Sequence, residues 1–480
     1  MELTALIGLE IHAVIKTGRK IFCCCKNDSD ASPNTNTCPV CLGHAGALPV
    51  LNRQALINAI KAGMLFNSKL IKKSRFDRKS YFYPDLPKGY QITQYERPLY
   101  IGGDLQIQSV NGLKTVSLRR PHIEEDTAKS FGKNGFIELD HNRAGVGLIE
   151  IVTEPDIRSG EETAEFLRVL RAYLKEADIC TCEMEKGALR CDVNVSLNNE
   201  QGRIVTFSEI KNLNSISNAA KSVDHEIKRQ MAAFKAGKDL TKYTMMWDEK
   251  KSRTVPIRIK ENSPDYRYFC EPDLGIIDAE IFDLNELNRR LPKNPAIIAD
   301  KLKLNYGISR KDAVYYSENP WIRDFFLNVT GLLNSKTEIL KFNGLLLSCI
   351  KGLDEFDEDK TRDEFIIQQF AIIINKLDEG EISSASFKKA AGLILRSGKN
   401  AEDIVMENDL LQISDIAELR TIVEEIIKKN AKALNKKSKG QRKTASLLVG
   451  EAMKHTLGKA DPEILIEIVR ERLEYLDKTK

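Results

Sequence analysis

The period of the hydrophobic pattern changes near residue 284, and this change constrains the fold more than any other feature of the sequence. Upstream, short runs rich in β-branched residues alternate apolar and polar positions, which is typical of half-buried strands. The clearest strand segments are residues 6–15, 148–153, 190–197 and 204–213. Downstream, apolar residues recur at helical spacing and proline nearly disappears after Pro320. The sequence therefore predicts an α+β fold, with a mixed β-sheet body before an all-helical remainder.

Helical spacing is clear in three segments. Two helices are predicted within the strand-rich part, at residues 161–177 and 217–236, and a third at 364–377. The apolar stripe of the third helix consists of Phe365, Ile366, Phe370, Ile373 and Ile374. Such a stripe predicts one buried face on each helix.

The last helix carries its own start signal, because Asp461 is a capping residue and Pro462 suits the first helical position. Its predicted buried face consists of Ile464, Leu465, Ile468 and Val469. Together with a break near Gly398, these signals predict three domains. They are a cradle domain at 1–285, a helical domain at 286–398 and a helical tail domain at 399–480.

Composition excludes few functions. The chain has 480 residues and a formal net charge of only +4, so overall charge does not identify a nucleic-acid binder. The first residues lack the basic and apolar regions of a signal peptide, and no apolar run approaches the roughly 20 residues of a membrane span. We expect a cytoplasmic protein, or one of an organelle matrix, without a membrane partner.

Four cysteines have the spacing of a metal site. Cys23 and Cys25 form one close pair, and Cys38 and Cys41 form a second pair after twelve intervening residues. Two such pairs can converge on a tetrahedral zinc ion, and a closed site with four thiolates is structural. Cys24 is expected to point away, since adjacent side chains of a strand face opposite directions. Buried free cysteines are the alternative.

Acidic residues lie on the polar faces of predicted strands. Alternation puts Glu10 and His12 on one face, and Glu150 lies in the middle of an aliphatic strand, where an unpaired carboxylate is costly. A second polar face carries Arg190, Asp192, Asn194 and Ser196, and Glu124, Glu125 and Asp126 follow His122 closely. A carboxylate-rich face with Arg190 and Lys211 suits Mg²⁺ and nucleotide phosphates. No P-loop or Rossmann glycine motif occurs in the sequence.

Residues 76–88 alternate aromatic and charged side chains and include two prolines. Their aromatic faces beside cations could receive an adenine, a ribose or the terminal adenosine of a tRNA. The residues proposed for this contact are Lys79, Tyr81, Tyr83 and Lys88. A rigid, aromatic-packed loop is an equally good interpretation.

Several long motifs resemble one family. They are residues 7–12, 77–88, 90–94, 123–126, 148–156, 189–197, 209–215 and 265–269, and the likeness extends from about residue 5 to about 475. These runs resemble the B subunit of the tRNA-dependent amidotransferases. The resemblance implies an N-terminal cradle that holds ATP and Mg²⁺ and a C-terminal domain that grips misacylated tRNA. It also implies two protein partners, the glutaminase (A) subunit and the small (C) subunit of the amidotransferase.

The resemblance also implies roles for individual residues. Glu10, His12, Glu125 and Glu150 would serve metal sites with Glu124 and Asp192 nearby, and Arg190, Asn194, Ser196 and Lys211 would contact phosphate and the activated carboxyl group. The implied reaction phosphorylates the side-chain carboxylate of Glu-tRNA(Gln) or Asp-tRNA(Asn), and ammonia then displaces phosphate. Gly147, Lys186 and the pair Met245 and Met246 depart from the usual pattern of the family.

The basic run at residues 428–443 is the predicted tRNA-binding segment. It holds eight Lys or Arg residues and no acid, namely Lys428, Lys429, Lys432, Lys436, Lys437, Lys439, Arg442 and Lys443. A solvated charged linker is the alternative for this segment. For the whole chain, the alternatives are a non-catalytic RNA-binding protein with a zinc knuckle and a stand-alone ligase that uses free ammonia.

Overall fold

The computed structural model describes residues 3–28, 30–133, 135–238, 242–259, 265–350, 356–429 and 441–478. The chain forms two compact units, Met1–Ile298 and Ala299–Lys480. The first contains the described strands and the second is built from helices, which confirms the α+β fold. The division into three domains stays a prediction.

The strands of the first unit are β1 (Thr4–Val14), β2 (Lys69–Leu70), β3 (Lys73–Ser74), β4 (Asp77–Ser80), β5 (Tyr90–Thr93), β6 (Tyr100–Ile101), β7 (Asp104–Ser109), β8 (Gly112–Glu125), β9 (Lys129–Lys133), β10 (Phe136–Asp140), β11 (Gly147–Thr153), β12 (Leu189–Asn198), β13 (Ile204–Leu213), β14 (Tyr243–Asp248), β15 (Arg253–Ile259), β16 (Phe269–Cys270) and β17 (Ile277–Asp278). Its helices are α1 (Arg53–Leu65), α2 (Gly160–Glu176), α3 (Ile216–Lys235), a 3-10 turn (Ala279–Ile281) and α4 (Leu284–Arg289), and α5 (Pro295–Tyr306) spans the boundary between the units.

An eight-stranded sheet forms the centre of this unit, in the order β15-β14-β13-β12-β1-β11-β8-β7. All neighbours are antiparallel except β13 and β14, so the sheet is mixed as predicted. A parallel pair needs a crossover, and α3 lies between these two strands in the chain. The four predicted strand segments are observed within two residues of their predicted ends.

Alternation along the strands separates a core face from a polar face. In β1, Ile7, Leu9 and Ile11 are buried, whereas Glu10 and His12 are half-buried on the other face. Helices α2 and α3 pack against each other, and α3 packs on β12 and β13. The helical layer therefore leaves the polar face of the central strands to form a site.

The close approach of α2 to α3 depends on a glycine. A Cβ atom built at Gly160, the first residue of α2, would lie 2.3 Å from the carbonyl oxygen of Ala220 and 2.7 Å from the Asp224 carboxyl group. We expect Gly160→Ala to lower the free energy of unfolding by about 1–3 kcal/mol, because the backbone must shift. Gly344→Ala is the control, since among the described residues nothing beyond its chain neighbours and the backbone of its own helix lies within 4 Å of that Cβ. Equal unfolding midpoints for the two variants in denaturant titrations would contradict this interpretation.

The helices of the second unit are α6 (Arg310–Glu318), α7 (Pro320–Thr330), α8 (Lys336–Ile350), α9 (Glu358–Thr361), α10 (Glu364–Asp378), α11 (Ser384–Ser397), α12 (Ala401–Glu407), α13 (Ile416–Lys429), α14 (Gln441–His455) and α15 (Pro462–Lys478). Four of the five stripe residues of α10 are buried, but Phe365 is 40% exposed. It lies about 100° from Ile366 around the helix, outside the buried face.

The last three helices share a core that includes Leu419, Leu448 and Leu465. The Asp461 carboxylate accepts hydrogen bonds from the backbone N–H groups of Glu463 (2.8 Å) and Ile464 (3.1 Å), which confirms the predicted cap of α15. Of the predicted face, Ile464 is half-buried and the other three residues are buried. Most of the basic run at 428–443 lies outside the described residues. No helix in the described ranges is both long and apolar enough to cross a membrane.

Candidate active site

The strand register brings the predicted polar residues together. His12 on β1 lies opposite Glu150 on β11 and opposite Arg190 on β12, and Glu150 lies opposite His122 on β8. Glu10, two residues before His12 on the same face of β1, lies opposite Asp192 on β12. Because side chains repeat every second residue, these rows project from one face of four neighbouring strands.

Two groups of potential metal ligands share one carboxylate. Glu10, His12 and Glu150 form the first group, and His122, Glu124 and Glu150 form the second, with the ligand atoms of each group within 4.8 Å of one another. His122 Nε2 lies 3.1 Å from Glu150 Oε2, and His12 Nε2 lies 3.2 Å from Glu124 Oε1. Glu150 therefore joins the two groups.

The electrostatics of this cluster favour bound cations. Burial, and then the charge of Glu150, raises the pKa of Glu10. For His12, burial lowers the pKa, but the neighbouring carboxylates of Glu124, Glu150 and Glu10 outweigh it and raise the pKa to about 9. Burial likewise opposes ionisation of Glu150, yet His122, His12 and Lys79 hold its pKa well below the ordinary value. Crowded carboxylates that rely on neighbouring positive charge are suited to hard divalent cations.

A cavity of about 330 Å³ opens beside these ligands. Its lining residues are His12, Lys79, Tyr81, Gln91, Glu124, Asp126, Thr127, Leu148, Arg190, Cys191, Asp192, Lys211 and Asn212. A bulge in the β12–β13 pairing at Cys191–Val193 accompanies the approach of Lys211, whose Nζ donates to Asp192 Oδ2 (2.6 Å). Three cations, Lys79, Arg190 and Lys211, thus line the same cavity as the carboxylates, an arrangement that suits an anionic ligand bound with a metal.

Four predicted site residues lie elsewhere. Adjacent strand residues point apart, so Glu125 turns away from Glu124, accepts from the Ile92 N–H (2.8 Å) and pairs with Lys88. Further along β12, Ser196 donates to the Leu6 carbonyl (3.2 Å) and Asn194 lies opposite Gly8. The roles predicted for these residues stay predictions.

Tyrosines border the cavity. Tyr81 lies within it, and Tyr83 is 61% exposed on the following loop. The ring of Tyr81 lies 5.7 Å from that of Tyr266, over which Lys79 Nζ lies at 4.8 Å. Tyr268 stacks on Tyr95 with ring centres 4.0 Å apart. Residues 77–80 form strand β4, so residues 76–88 are partly strand and partly loop.

Two residues of this region were absent from the predicted site. His122 is two positions before Glu124, and strand alternation alone puts both on one face. Tyr266 lies more than 180 positions from Tyr81 in the chain, and no local pattern indicates that they meet. The pairing of β4 with β16 brings this segment back, and Arg78 fixes it by donating to both carboxylate oxygens of Glu271 (2.7 and 2.8 Å).

The four predicted cysteines converge. The sulfur atoms of Cys23, Cys25, Cys38 and Cys41 lie within 4.8 Å of one another, whereas Cys24 is exposed outside the group. Hydrogen bonding with Cys23 lowers the pKa of Cys41, and the backbone of Cys38 and the charge of Lys20 act in the same direction. Lys20 is fully buried, and its Nζ lies 3.6 Å from Cys41 Sγ. Four converging cysteine sulfur atoms are a donor set that zinc binds as thiolates.

The site lies within a region that matches a known family. Residues 5–281 match the family model described as the GatB/GatE catalytic domain, and residues 337–473 match that of the GatB domain. Among curated proteins, the B subunit of the aspartyl/glutamyl-tRNA(Asn/Gln) amidotransferase of Caldanaerobacter subterraneus subsp. tengcongensis is 38% identical over 98% of this chain and 100% of its own length.

Two further relatives bear the same name. The protein of Thermotoga maritima is 38% identical over 99% of this chain and 100% of its own length. The protein of Gloeothece citriformis is 36% identical over 98% of each chain. The chain therefore belongs to the GatB family, the B subunits of the aspartyl/glutamyl-tRNA(Asn/Gln) amidotransferases.

Proposed function

We propose that this protein is the subunit that activates the side-chain carboxylate of a misacylated tRNA for amidation. The observation that carries the proposal is the pair of ligand groups joined by Glu150, beside three cations in one cavity. The substrates would be Glu-tRNA(Gln), Asp-tRNA(Asn) or both, in agreement with the names of the relatives. A carboxylate resists attack by ammonia, so the first step transfers the γ-phosphoryl group of ATP to it and forms an acyl phosphate.

The residues around Glu150 fit Mg²⁺, because they offer mainly carboxylate oxygens on a rigid sheet. Glu10, His12 and Glu150 would hold one ion and His122, Glu124 and Glu150 a second, with Asp192 nearby. Bound Mg²⁺ would supply charge that neutralises the phosphate groups and helps to align the transferring group. His12 must give up its proton to bind a metal, and the positive charge of the ion would replace the charge of that proton beside the carboxylates.

The cations complete the proposed site. Arg190 and Lys211 face the cavity on neighbouring strands, where they would bind phosphate oxygens and the acyl phosphate. Lys79 and Tyr81 line the same cavity and Tyr266 adjoins them, so an adenine ring would lie against this aromatic surface. Ammonia would come from the glutaminase subunit, in a complex that also contains the small third subunit.

The cysteine group would bind one structural zinc ion. Four converging sulfur atoms close the coordination sphere, so no position stays free for a substrate. The buried ammonium of Lys20 would offset part of the negative charge of four thiolates.

Amidation of each misacylated tRNA by the reconstituted complex tests the proposed function. We expect glutamine-dependent amide formation that requires both ATP and Mg²⁺. Binding of tRNA without amidation would instead indicate a non-catalytic RNA-binding protein. Full activity with ammonium salts and no associated subunits would indicate a stand-alone ligase.

We expect the tail domain to bind tRNA, and neutralising its basic run at residues 428–443 tests this. Truncation after Ile427 would expose the face of α13 that packs in the core with Leu448 and Leu465, so substitution of the eight cations by glutamine is the cleaner change. Each lost phosphate contact should reduce the slope of log affinity against log salt by roughly 0.7–0.9. We therefore expect weaker tRNA binding and a flatter salt dependence, with zinc content unchanged as the control. Unchanged affinity and slope would make the run a solvated linker.

A further inference from the structure

Asp126 has no role in the site described so far, although it lines the cavity. It follows β8 directly, is 5% exposed and belongs to neither ligand group found among the described residues. Its Oδ2 accepts a hydrogen bond from Arg190 Nη2 (2.6 Å) and lies 3.6 Å from Arg143 Nε. Its Oδ1 accepts from the backbone N–H of Thr127 (3.0 Å). One buried carboxylate thus contacts two arginines.

The surrounding backbone holds Asp126 in place. Its N–H donates to the carbonyl of Val146 (2.7 Å), and its carbonyl accepts from the N–H of Gly145 (3.0 Å). Arg143 clamps the next residues by donating from Nε to the carbonyl of Thr127 (2.9 Å) and from Nη2 to that of Ala128 (2.8 Å). These contacts therefore fix the position of the Asp126 carboxylate in the lining of the cavity.

Arg190 presents part of its guanidinium group to the cavity, since its side chain lines the cavity and is 34% exposed. Its Nη2 is used by Asp126, while its buried Nε has no hydrogen-bond partner among the described residues. A guanidinium group has five N–H donors in one plane, so a bond at one end fixes the direction of the others. Two arginines share one carboxylate, so the group of Arg143, Asp126 and Arg190 keeps a net positive charge.

We infer that Asp126 is a positioning residue that orients the Arg190 guanidinium towards a phosphate or acyl-phosphate oxygen in the cavity. The inference rests on the proposed function and adds a residue to it. Asp126 itself would touch neither substrate nor metal. It acts through Arg190, and Arg143 prevents the carboxylate from following when the guanidinium binds an anion.

A double-mutant cycle in the assembled complex tests the inference. Amidation is measured with an ammonium salt as nitrogen donor, so that the glutaminase reaction does not enter. We expect Asp126→Asn to lower kcat/KM by about 10–100-fold, the usual effect of losing a residue that orients a ligand. Arg190→Lys keeps the positive charge but loses the planar guanidinium group. The double variant should be no more than about twofold slower than Arg190→Lys alone, because a lysine has no planar guanidinium group for Asp126 to orient.

Asp178→Asn is the matched control, since Asp178 is exposed and pairs with Lys16. Losses that multiply in the double variant would show that Asp126 acts independently of Arg190, and wild-type rates for Asp126→Asn would also overturn the inference. Should Asp126→Asn fail to fold, Arg143→Gln takes its place in the same cycle. The activity of the wild-type protein distinguishes failure of the proposed function from failure of the inference about Asp126. If it forms no amide with ATP and Mg²⁺, the proposed function fails and the inference fails with it.

Discussion

Replacing Glu150 by glutamine will lower the rate of amidation by about 100-fold or more, as expected when a direct electrostatic contact in the transition state is lost. Glu150 is the only residue common to the two ligand groups found in the described part of the chain. Glutamine keeps the size of the side chain but removes the charge, so both proposed metal ions lose a ligand together. Glu10→Gln and His12→Ala, which each affect one group, should act in the same direction.

The experiment needs a control for folding and for the partner reaction. Glu183→Gln makes the same chemical change at an exposed residue paired with Lys186 and should leave the rate unchanged. Glutamine hydrolysis by the associated glutaminase should survive in the Glu150→Gln complex. Amidation near the wild-type rate, by a variant with an unchanged melting temperature, would remove Glu150 from the site.

Replacing Cys41 by serine will abolish zinc binding and destabilise the cradle. The wild-type protein should contain one zinc ion per chain. The variant loses a ligand and also leaves the buried Lys20 ammonium without its sulfur partner. Breaking a buried charged pair typically costs about 3–5 kcal/mol, to which loss of the metal adds. Elemental analysis measures the zinc content, and thermal unfolding measures the change in stability.

Cys24→Ser is the matched control, because Cys24 is adjacent to the group but exposed and outside it. It should keep one zinc ion and an unchanged melting temperature. Wild-type protein that contains no zinc when purified without added metal, with four free thiols titrating at these positions, would contradict the metal assignment.

The local parts of this account could be predicted from the sequence. Alternation in β1 separates Glu10 and His12 from Leu9 and Ile11, and it requires only the two-residue period of a strand. The cysteine spacing likewise predicted a group that the structure brings together. The Asp461 cap needed only residues that are neighbours in the chain.

Features that depend on register and on distant segments could not be predicted in this way. That Glu150 joins His122 and His12 follows from the pairing of β11 with both β8 and β1, which no single strand pattern contains. Lys88 and Glu125 were both assigned to the site, yet they pair with each other across 37 positions. Tyr266 reaches Tyr81 only because β16 pairs with β4.

The fate of the carboxylate oxygen tests most directly whether the side-chain carboxylate is activated as an acyl phosphate. Glu-tRNA(Gln) or Asp-tRNA(Asn) labelled with ¹⁸O in the side-chain carboxylate is converted by the complex in the presence of ATP, Mg²⁺ and ammonia, and the released phosphate is analysed by mass spectrometry. Phosphorylation of the carboxylate transfers one of its oxygens to phosphate when ammonia attacks, so we expect one ¹⁸O in each phosphate released. Unlabelled phosphate alongside amide product, or label found in AMP instead, would contradict activation through an acyl phosphate.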